Sequence, residues 1–255
     1  VTAREKAAAL RARKGGRHIT ALTAYDYPTA RLLDGCGVDV LLVGDSLGMV
    51  VLGFPDTTHV TLDHMLHHVA AVARAQPAAL VLGDLPIHTY DSPTDAVTTA
   101  RRLADAGAEA VKLEGGTEQA AKVKAIVDAG IPVIGHLGML PQHVIEEGGY
   151  RRKGRSPEQA KAIHDGARAL VDAGVCAIVL ESVVPEIAHE ITDAIPVPTI
   201  GIGCGETTCD GEVAVITDVI GSFPWFVPPF AKPEADIAGS VQAAVNRYVA
   251  RVLGE

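Results

Sequence analysis

DAGAEAVKLEGG, residues 105–116, decides the fold. Its Asp-Ala-Gly opening reads as a helix end stopped by glycine, the residue that most readily takes the left-handed turn closing a helix. A short loop follows, and then an apolar run of strand length that finishes on an acid. The same plan recurs in DGCGVDVLLVGD (34–45) and DAGVCAIVLESV (172–183), and again in DAGIPVIGHLG (128–138), where His136 stands near the strand end. Between the copies lie Ala-rich amphipathic stretches, at 93–106, 117–129 and 157–173. Strands alternating with such helices give βα units and a parallel sheet.

Extended along the chain, this plan predicts strands at 19–25, 38–45, 79–85, 110–114, 132–136, 177–181 and 198–202, with a weak last one around 218–220. Residues 1–13 read as an extra helix before the first strand with Thr2 as its N-cap, and 233–253 as a closing helix. Eight βα units imply a closed (β/α)8 TIM barrel. An open doubly wound sheet is the alternative, and the weak eighth strand is its best argument. At 255 residues and 48% hydrophobic the chain fits one barrel domain over 1–255. The segment GGYRRKGR (148–155) is too short and too charged for a tether and reads as a surface loop.

The net charge of -9, with basic residues scattered apart from that one cluster, speaks against nucleic acid as a partner, and 4% aromatics weakens any base-stacking role. Cys36, Cys176, Cys204 and Cys209 show no CxxC pairing, as expected of free thiols in a reducing compartment. No apolar stretch is long enough to span a bilayer and no signal-peptide core is visible, so a cytoplasmic, membrane-free protein is expected.

Three predicted strands deliver acid: Asp45 after VDVLLVG, Asp84 after ALVLG and Glu114 inside AVKLEGG. The carboxyl end of a barrel strand faces the active-site mouth. Carboxylates brought there by neighbouring strands repel one another, and a cation relieves that repulsion. Hard oxygen donors without a paired thiolate or imidazole suit Mg²⁺ better than zinc. Lys112 lies two residues before Glu114, on the same face of its strand. A buried structural ion pair is the plainer reading of that pair; equivalent acids on two further strands weigh against it.

Other candidates carry alternatives. Ser46 is either a turn or cap residue or a hydroxyl presented to the same ligand. Glu181, hemmed by Val179, Leu180 and Val183 at the end of IVLES, is a candidate general base or else a cap for the helix starting near Pro185. His136 is either a donor to an oxyanion or a structural donor. His64 and His68 have the i, i+4 spacing of a zinc pair, but a third ligand and an HExxH context are missing, so a solvated or interface face is preferred. GIGCG (201–205) resembles a phosphate cradle; with Glu206 directly behind it, a tight active-site loop is the better reading.

These groups, in this order, resemble the ketopantoate hydroxymethyltransferase (3-methyl-2-oxobutanoate hydroxymethyltransferase) family. The matching segments are ITALTAYDYPTA, VDVLLVGDSLGMVVLG, GDLP with Tyr90, AGAEAVKLEGG, IPVIGHLG followed by PQ, GGYRRKGR, AIVLESVVPEIAHEIT, and PTIGIGCG followed by DG. They run from Ile19 to Asp218, and GDSLGM with VKLEGG is a highly specific combination. The resemblance implies transfer of the one-carbon unit of 5,10-methylenetetrahydrofolate to 3-methyl-2-oxobutanoate, giving 2-dehydropantoate on the route to pantothenate and coenzyme A. It implies that Asp45, Asp84 and Glu114 serve Mg²⁺, Glu114 through water. Ser46 and Lys112 would hold the substrate carboxylate and Glu181 would accept the proton. It also implies a large homo-oligomer, a decamer in the family. For His136 the expected role is a hydrogen bond to the incoming or new hydroxyl.

The chain departs from the family pattern at Cys204, Glu206 and Glu212, at His143, at Pro229 where the family's lysine is lost, and at His88 and Thr89. None of these is in the acid trio, Lys112 or Glu181. Two rivals follow. One is another Mg²⁺ enzyme of the phosphoenolpyruvate/isocitrate lyase group, although its KKCGH-type cysteine loop is missing. The other is a catalytically silent barrel that binds a small acid.

Overall fold

A computed structural model describes residues 1–254. The strands are β1 (Ile19–Thr23), β2 (Val40–Val43), β3 (Leu80–Asp84), β4 (Ala110–Glu114), β5 (Val133–Gly138), β6 (Ala177–Glu181), β7 (Thr199–Ile202) and β8 (Gly211–Ala214). The helices are α1 (Ala3–Arg11), α2 (Tyr27–Gly35), α3 (Leu47–Val50), α4 (Leu62–Ala73), α5 (Pro93–Asp105), α6 (Ala120–Asp128), α7 (Pro157–Ala173), α8 (Pro185–Ala194), α9 (Ile216–Val219) and α10 (Ile237–Leu253). The eight strands close into a barrel in sequence order, and every recorded pairing is parallel. The open sheet is excluded.

The chain divides into two compact units, Val1–Val213 and Ala214–Glu255. The first holds the barrel as far as β8. In the second, α9 is a single turn, and α10 starts at Ile237 behind its N-cap Asp236, whose carboxylate accepts from Gly239 N. The expected helix at 233–253 therefore begins four residues later than its sequence pattern implied.

The repeat explains the barrel. α7 ends on Gly174 at φ 101, a left-handed turn that an L side chain resists, and β6 starts three residues on. Pro157, at the first helical position behind the Ser156 cap, sets where the same helix begins. Thr2 caps α1 with Glu5 reciprocating, as the N-terminal sequence predicts.

Alternation then sets what each strand presents. Leu80 and Leu82, Ala110, Ile134, Ala177 and Val179, and Ile200 share one core with Val40, Leu42 and Val213. Two residues further along those same faces come Asp84, Lys112 and Glu114, His136, and Glu181. An apolar plug thus fills the lower barrel, with ionisable residues stacked above it at the carboxyl ends.

The eighth strand needs correction. The expected strand at 218–220 is not one: Asp218 and Val219 lie in α9, and β8 is GEVA at 211–214. Gly211 is required there, because a Cβ would run into the backbone of Ile19 across the seam. Among the described residues no helix is long and apolar enough to cross a membrane.

Candidate active site

The strand register brings the predicted acids and bases together. Asp84 pairs in register with Lys112, Glu114 with His136, and Gly138 with Glu181. Asp45, just past β2, is tied to the same layer because its backbone N donates to Asp84 Oδ2 at 3.1 Å. Asp45, Asp84, Lys112, Glu114 and His136 are all buried, none more than 5% exposed. Gly44 makes the approach possible: a Cβ there would stand 3.0 Å from Ser46 Oγ and 3.5 Å from Asp84 Oδ2. A side chain there would crowd the cleft between these oxygens.

Crowded carboxylates alter one another. Burial, reinforced by Asp84 and Glu114, holds the Asp45 carboxyl well above the ordinary carboxylate range, although Lys112 and Gln142 oppose this. Asp84 is also raised, chiefly by burial. Burial works against the Lys112 ammonium, yet Asp84, Glu114 and Asp45 outweigh it and keep the lysine charged; its Nζ lies 3.1 Å from Asp84 Oδ1. For His136, burial and Lys112 disfavour the imidazolium, but bonds to Glu114 and Glu181 prevail and push it up to about 9. Four carboxyl groups thus face one lysine and one histidine, more acids than basic partners.

That excess is a reason to test the site for a divalent cation. The donors are hard oxygens from neighbouring strands, with no thiolate among them, which suits Mg²⁺. Asp84 Oδ1 and Glu114 Oε1 are buried without a hydrogen-bond partner, although each has a cation or imidazole nearby at 3.1 and 3.5 Å. The residues fit. They are not closed into a ready cage, however: among the described residues no group of three acids, histidines or cysteines is gathered as a metal site. Lys112 Nζ stands 3.1 Å from Asp84 Oδ1, where an ammonium already offsets part of the acids' charge.

The remaining candidates are placed as follows. Ser46 precedes α3 but makes no side-chain cap; its Oγ pairs with Tyr25 Oη at 2.8 Å and stays half-buried beside the cleft. Glu181 faces His136, Oε2 to Nε2 at 3.2 Å, and is not the cap of α8, which begins at Pro185 without a side-chain cap. His64 caps α4 by accepting from Thr61 N, and His68 Nδ1 binds the Tyr25 carbonyl at 2.6 Å, so neither joins a metal pair. In GIGCG both Gly203 and Gly205 adopt positive φ, 66 and 99, as a tight loop needs. The GGYRRKGR segment lies along the end of β6: Lys153 N donates to Ser182 O, and Val184 N to Lys153 O. Within it, burial and the charge of Glu181 push the Tyr150 phenol up to about 12.

Sequence reasoning singled out neither Gln142 nor Tyr90 as functional, beyond quoting them within matching segments. Gln142 is 3% exposed and Tyr90 5%, and the Tyr90 hydroxyl donates to Gln142 Oε1. Burial, followed by the charges of Glu114 and Asp45, keeps the Tyr90 phenol protonated. The available signal was a glutamine directly after a strand–turn proline in the acid-rich barrel.

A closed parallel barrel with acids, a lysine and a histidine packed at the carboxyl ends of β3 to β6 defines a (β/α)8 enzyme. Comparison with known proteins narrows this. The ketopantoate hydroxymethyltransferase family model matches residues 4–255, and the chain belongs to that family. It is 53% identical to a 3-methyl-2-oxobutanoate hydroxymethyltransferase of Thermoanaerobacter sp. (strain X514) over 94% of this chain and 88% of the relative. It is 54% identical to another of the same description from Ignicoccus hospitalis, covering 94% and 90%. Solved structures of similar fold include 2,3-dimethylmalate lyase, a PEP mutase/isocitrate lyase superfamily member, at TM-score 0.65 and 20% identity, covering 100% of this chain and 89% of that one. Phosphonopyruvate hydrolase in complex with oxalate and Mg²⁺ matches at TM-score 0.65 and 16% identity, over 99% and 87%. At those identities the likeness is one of fold alone.

Proposed function

We propose that this barrel acts as a 3-methyl-2-oxobutanoate hydroxymethyltransferase in pantothenate biosynthesis, taking its one-carbon unit from 5,10-methylenetetrahydrofolate. The observation that carries the reading is the contiguous row Asp84–Lys112 and Glu114–His136–Glu181, joined by Asp45 and buried except for the half-buried Glu181, at the carboxyl ends of β3 to β6.

Asp45 and Asp84 would hold Mg²⁺, with Glu114 serving it from the next strand. A divalent cation bound there supplies electrophilic stabilisation of the negative charge that grows on a keto oxygen. Lys112 neutralises the substrate carboxylate, and the half-buried Ser46 hydroxyl, oriented by Tyr25, donates to the same group. Glu181 takes the proton from C3 of the 2-oxo acid. His136, held in its charged form by Glu114 and Glu181, fixes the Glu181 carboxylate in place through its Nε2. The C3 electron pair then forms a bond to the methylene carbon of the folate. Both of that carbon's bonds to folate nitrogens break, one replaced by the bond to C3 and the other by a bond to the oxygen of water; the two nitrogens each take a proton, one originating at C3 and one from the water. In the last step His136 would donate a hydrogen bond to the new hydroxyl.

Isotope exchange tests the first half-reaction apart from the folate. The protein is incubated with Mg²⁺ and 3-methyl-2-oxobutanoate in D₂O, and the C3 proton is followed by NMR. Exchange that disappears with EDTA and falls by roughly 10²–10⁴-fold in Glu181→Gln is the expected result. Full exchange in the Glu181→Gln protein removes Glu181 as the base. No exchange in a wild type that binds Mg²⁺ points instead to the silent acid-binding barrel.

A further inference from the structure

Gln142 makes more contacts to the acids than any other neutral residue in the site. It sits in the short turn Pro141–His143 that follows β5. Its backbone N donates to Glu114 Oε2 at 3.1 Å. Its side-chain Nε2 donates to Asp45 Oδ2 at 2.7 Å and to the Leu85 carbonyl at 2.9 Å, while Oε1 receives the Tyr90 hydroxyl. One glutamine therefore links the ends of β2, β3 and β4 from the loop beyond β5.

The orientation of its amide is forced. An NH₂ group carries two donors, and here it meets a carboxylate oxygen and a backbone carbonyl, both acceptors. The flipped amide would set Oε1 against those two oxygens and turn its NH₂ towards Tyr90, losing two bonds at once. The phenol has one proton to give and Oε1 as its acceptor, so Tyr90 locks the amide and the amide locks Asp45. A buried Gln side chain left half-satisfied is costly, and this one has both hydrogens and its oxygen paired.

We propose that Gln142, locked by Tyr90, is a positioning residue that sets the Asp45 carboxylate, and through its backbone N–H the Glu114 carboxylate, for a divalent cation. This rests on the metal-assisted reading above. The acids alone do not specify a geometry: Asp45, Asp84 and Glu114 repel one another, and a carboxylate on a loop after β2 is free to rotate unless something grips one oxygen. Outer hydrogen bonds of this kind commonly change metal affinity by about 10–100-fold.

Calorimetric titration of Mg²⁺ into EDTA-stripped, dialysed protein tests it, with the melting temperature of the metal-free protein as a parallel readout. Gln142→Met keeps the length and removes every side-chain hydrogen bond; its Kd for Mg²⁺ is expected to rise about 10–100-fold. Tyr90→Phe deletes one hydroxyl, and its Kd should rise by a smaller factor, because the amide loses its lock and keeps its bond to Asp45. The double variant should bind as Gln142→Met does, since the hydroxyl acts only through the amide. A purely structural role lowers the metal-free melting temperature and leaves Kd unchanged in both single variants, which overturns the proposal. If Gln142→Met does not fold, an unchanged Kd in Tyr90→Phe is enough to reject it. A wild type that binds no Mg²⁺ removes the metal reading as well, whereas binding by the wild type that neither variant weakens removes this inference alone.

Discussion

His136 Nε2 stands 3.2 Å from Glu181 Oε2, and the far side of the same ring lies 3.5 Å from Glu114 Oε1. One imidazole thus spans the acid assigned to proton transfer and an acid assigned to the metal. The ring is 2% exposed, so water does little to screen either contact. His136 therefore couples the two halves of the site.

That coupling has a pH signature in the metal-free protein. His136 is raised to about 9, against about 6.5 in an unfolded chain. Because the folded value is the higher one, its stabilisation is complete below about pH 6.5 and is lost as pH rises through about 9. Urea unfolding of EDTA-stripped wild type and His136→Asn, compared at pH 6 and pH 10, should show a stability gap that shrinks by about 3 kcal/mol at most with rising pH. Parallel pH profiles for the two proteins count against the assignment.

Among the described residues Lys112 is the lysine set against the acid trio, and its removal should be felt before any chemistry occurs. Lys112→Met leaves Asp84, Asp45 and Glu114 buried without their ammonium, a loss of about 3–5 kcal/mol of stability without metal. Mg²⁺ should restore part of it, since a cation relieves the same repulsion. The carboxyls of Asp45 and Asp84 are raised, so they ionise more readily unfolded than folded, and stability falls as pH rises through that window. Mg²⁺ should therefore bind more tightly at higher pH, with protons released on binding. Calorimetry in buffers of different ionisation enthalpy measures that release, and binding that releases no protons contradicts it.

Away from the mouth, Asp210 ties the barrel seam. Its carboxylate accepts from Thr199 N and Gly15 N, both at 2.9 Å, and pairs with Lys14 at 2.9 Å. Burial alone would raise this carboxyl, but those donors leave it below the ordinary range. A depressed folded value gives stability that is present above about pH 4 and fades as pH drops through the folded pKa. Asp210→Asn should cost about 1–3 kcal/mol near neutral pH, with the difference from wild type closing in acid. Denaturant titrations at pH 7 and pH 3 read it, and an equal deficit at both sets the ionic argument aside.

How far the sequence revealed this arrangement depends on where each residue lies. β4 and β6 fall at the expected residues, 110–114 and 177–181, because glycine stops and apolar runs mark both ends. Asp84, Glu114 and Glu181 were legible as candidate site residues since each ends a strand of the barrel. The eighth strand was missed because its apolar signal is weaker than that of its neighbour. GEVA has only Val213 and Ala214 as apolar residues, whereas the stretch just after it, which forms α9, looks more strand-like. Pairing with β7 and the close approach of Gly211 to Ile19 decide the matter, and both are long-range. Gln142, Tyr90 and Tyr25 escaped for a related reason. They lie outside the strands, where only closure of the barrel brings loop side chains to the acids.

Gly138 separates the two halves of the site by experiment. It ends β5 at φ 101, in register with Glu181, and Met139 N donates to the Glu181 carbonyl at 2.8 Å. A Cβ at Gly138 would drive into that carbonyl and come within 2.7 Å of Val183 Cγ2. Gly138→Ala must therefore push β5 away from β6 at the point where His136 meets Glu181, besides costing about 1–2 kcal/mol for the left-handed backbone. Asp45 and Asp84 follow β2 and end β3, outside this contact. The variant should lose roughly 10²-fold in C3 proton exchange, the scale of a 1 Å misplacement, while its Mg²⁺ affinity stays within a few-fold of wild type. If affinity and exchange fall together, the metal acids and the base are held by one shared framework, and the division of labour between β2–β3 and β5–β6 fails.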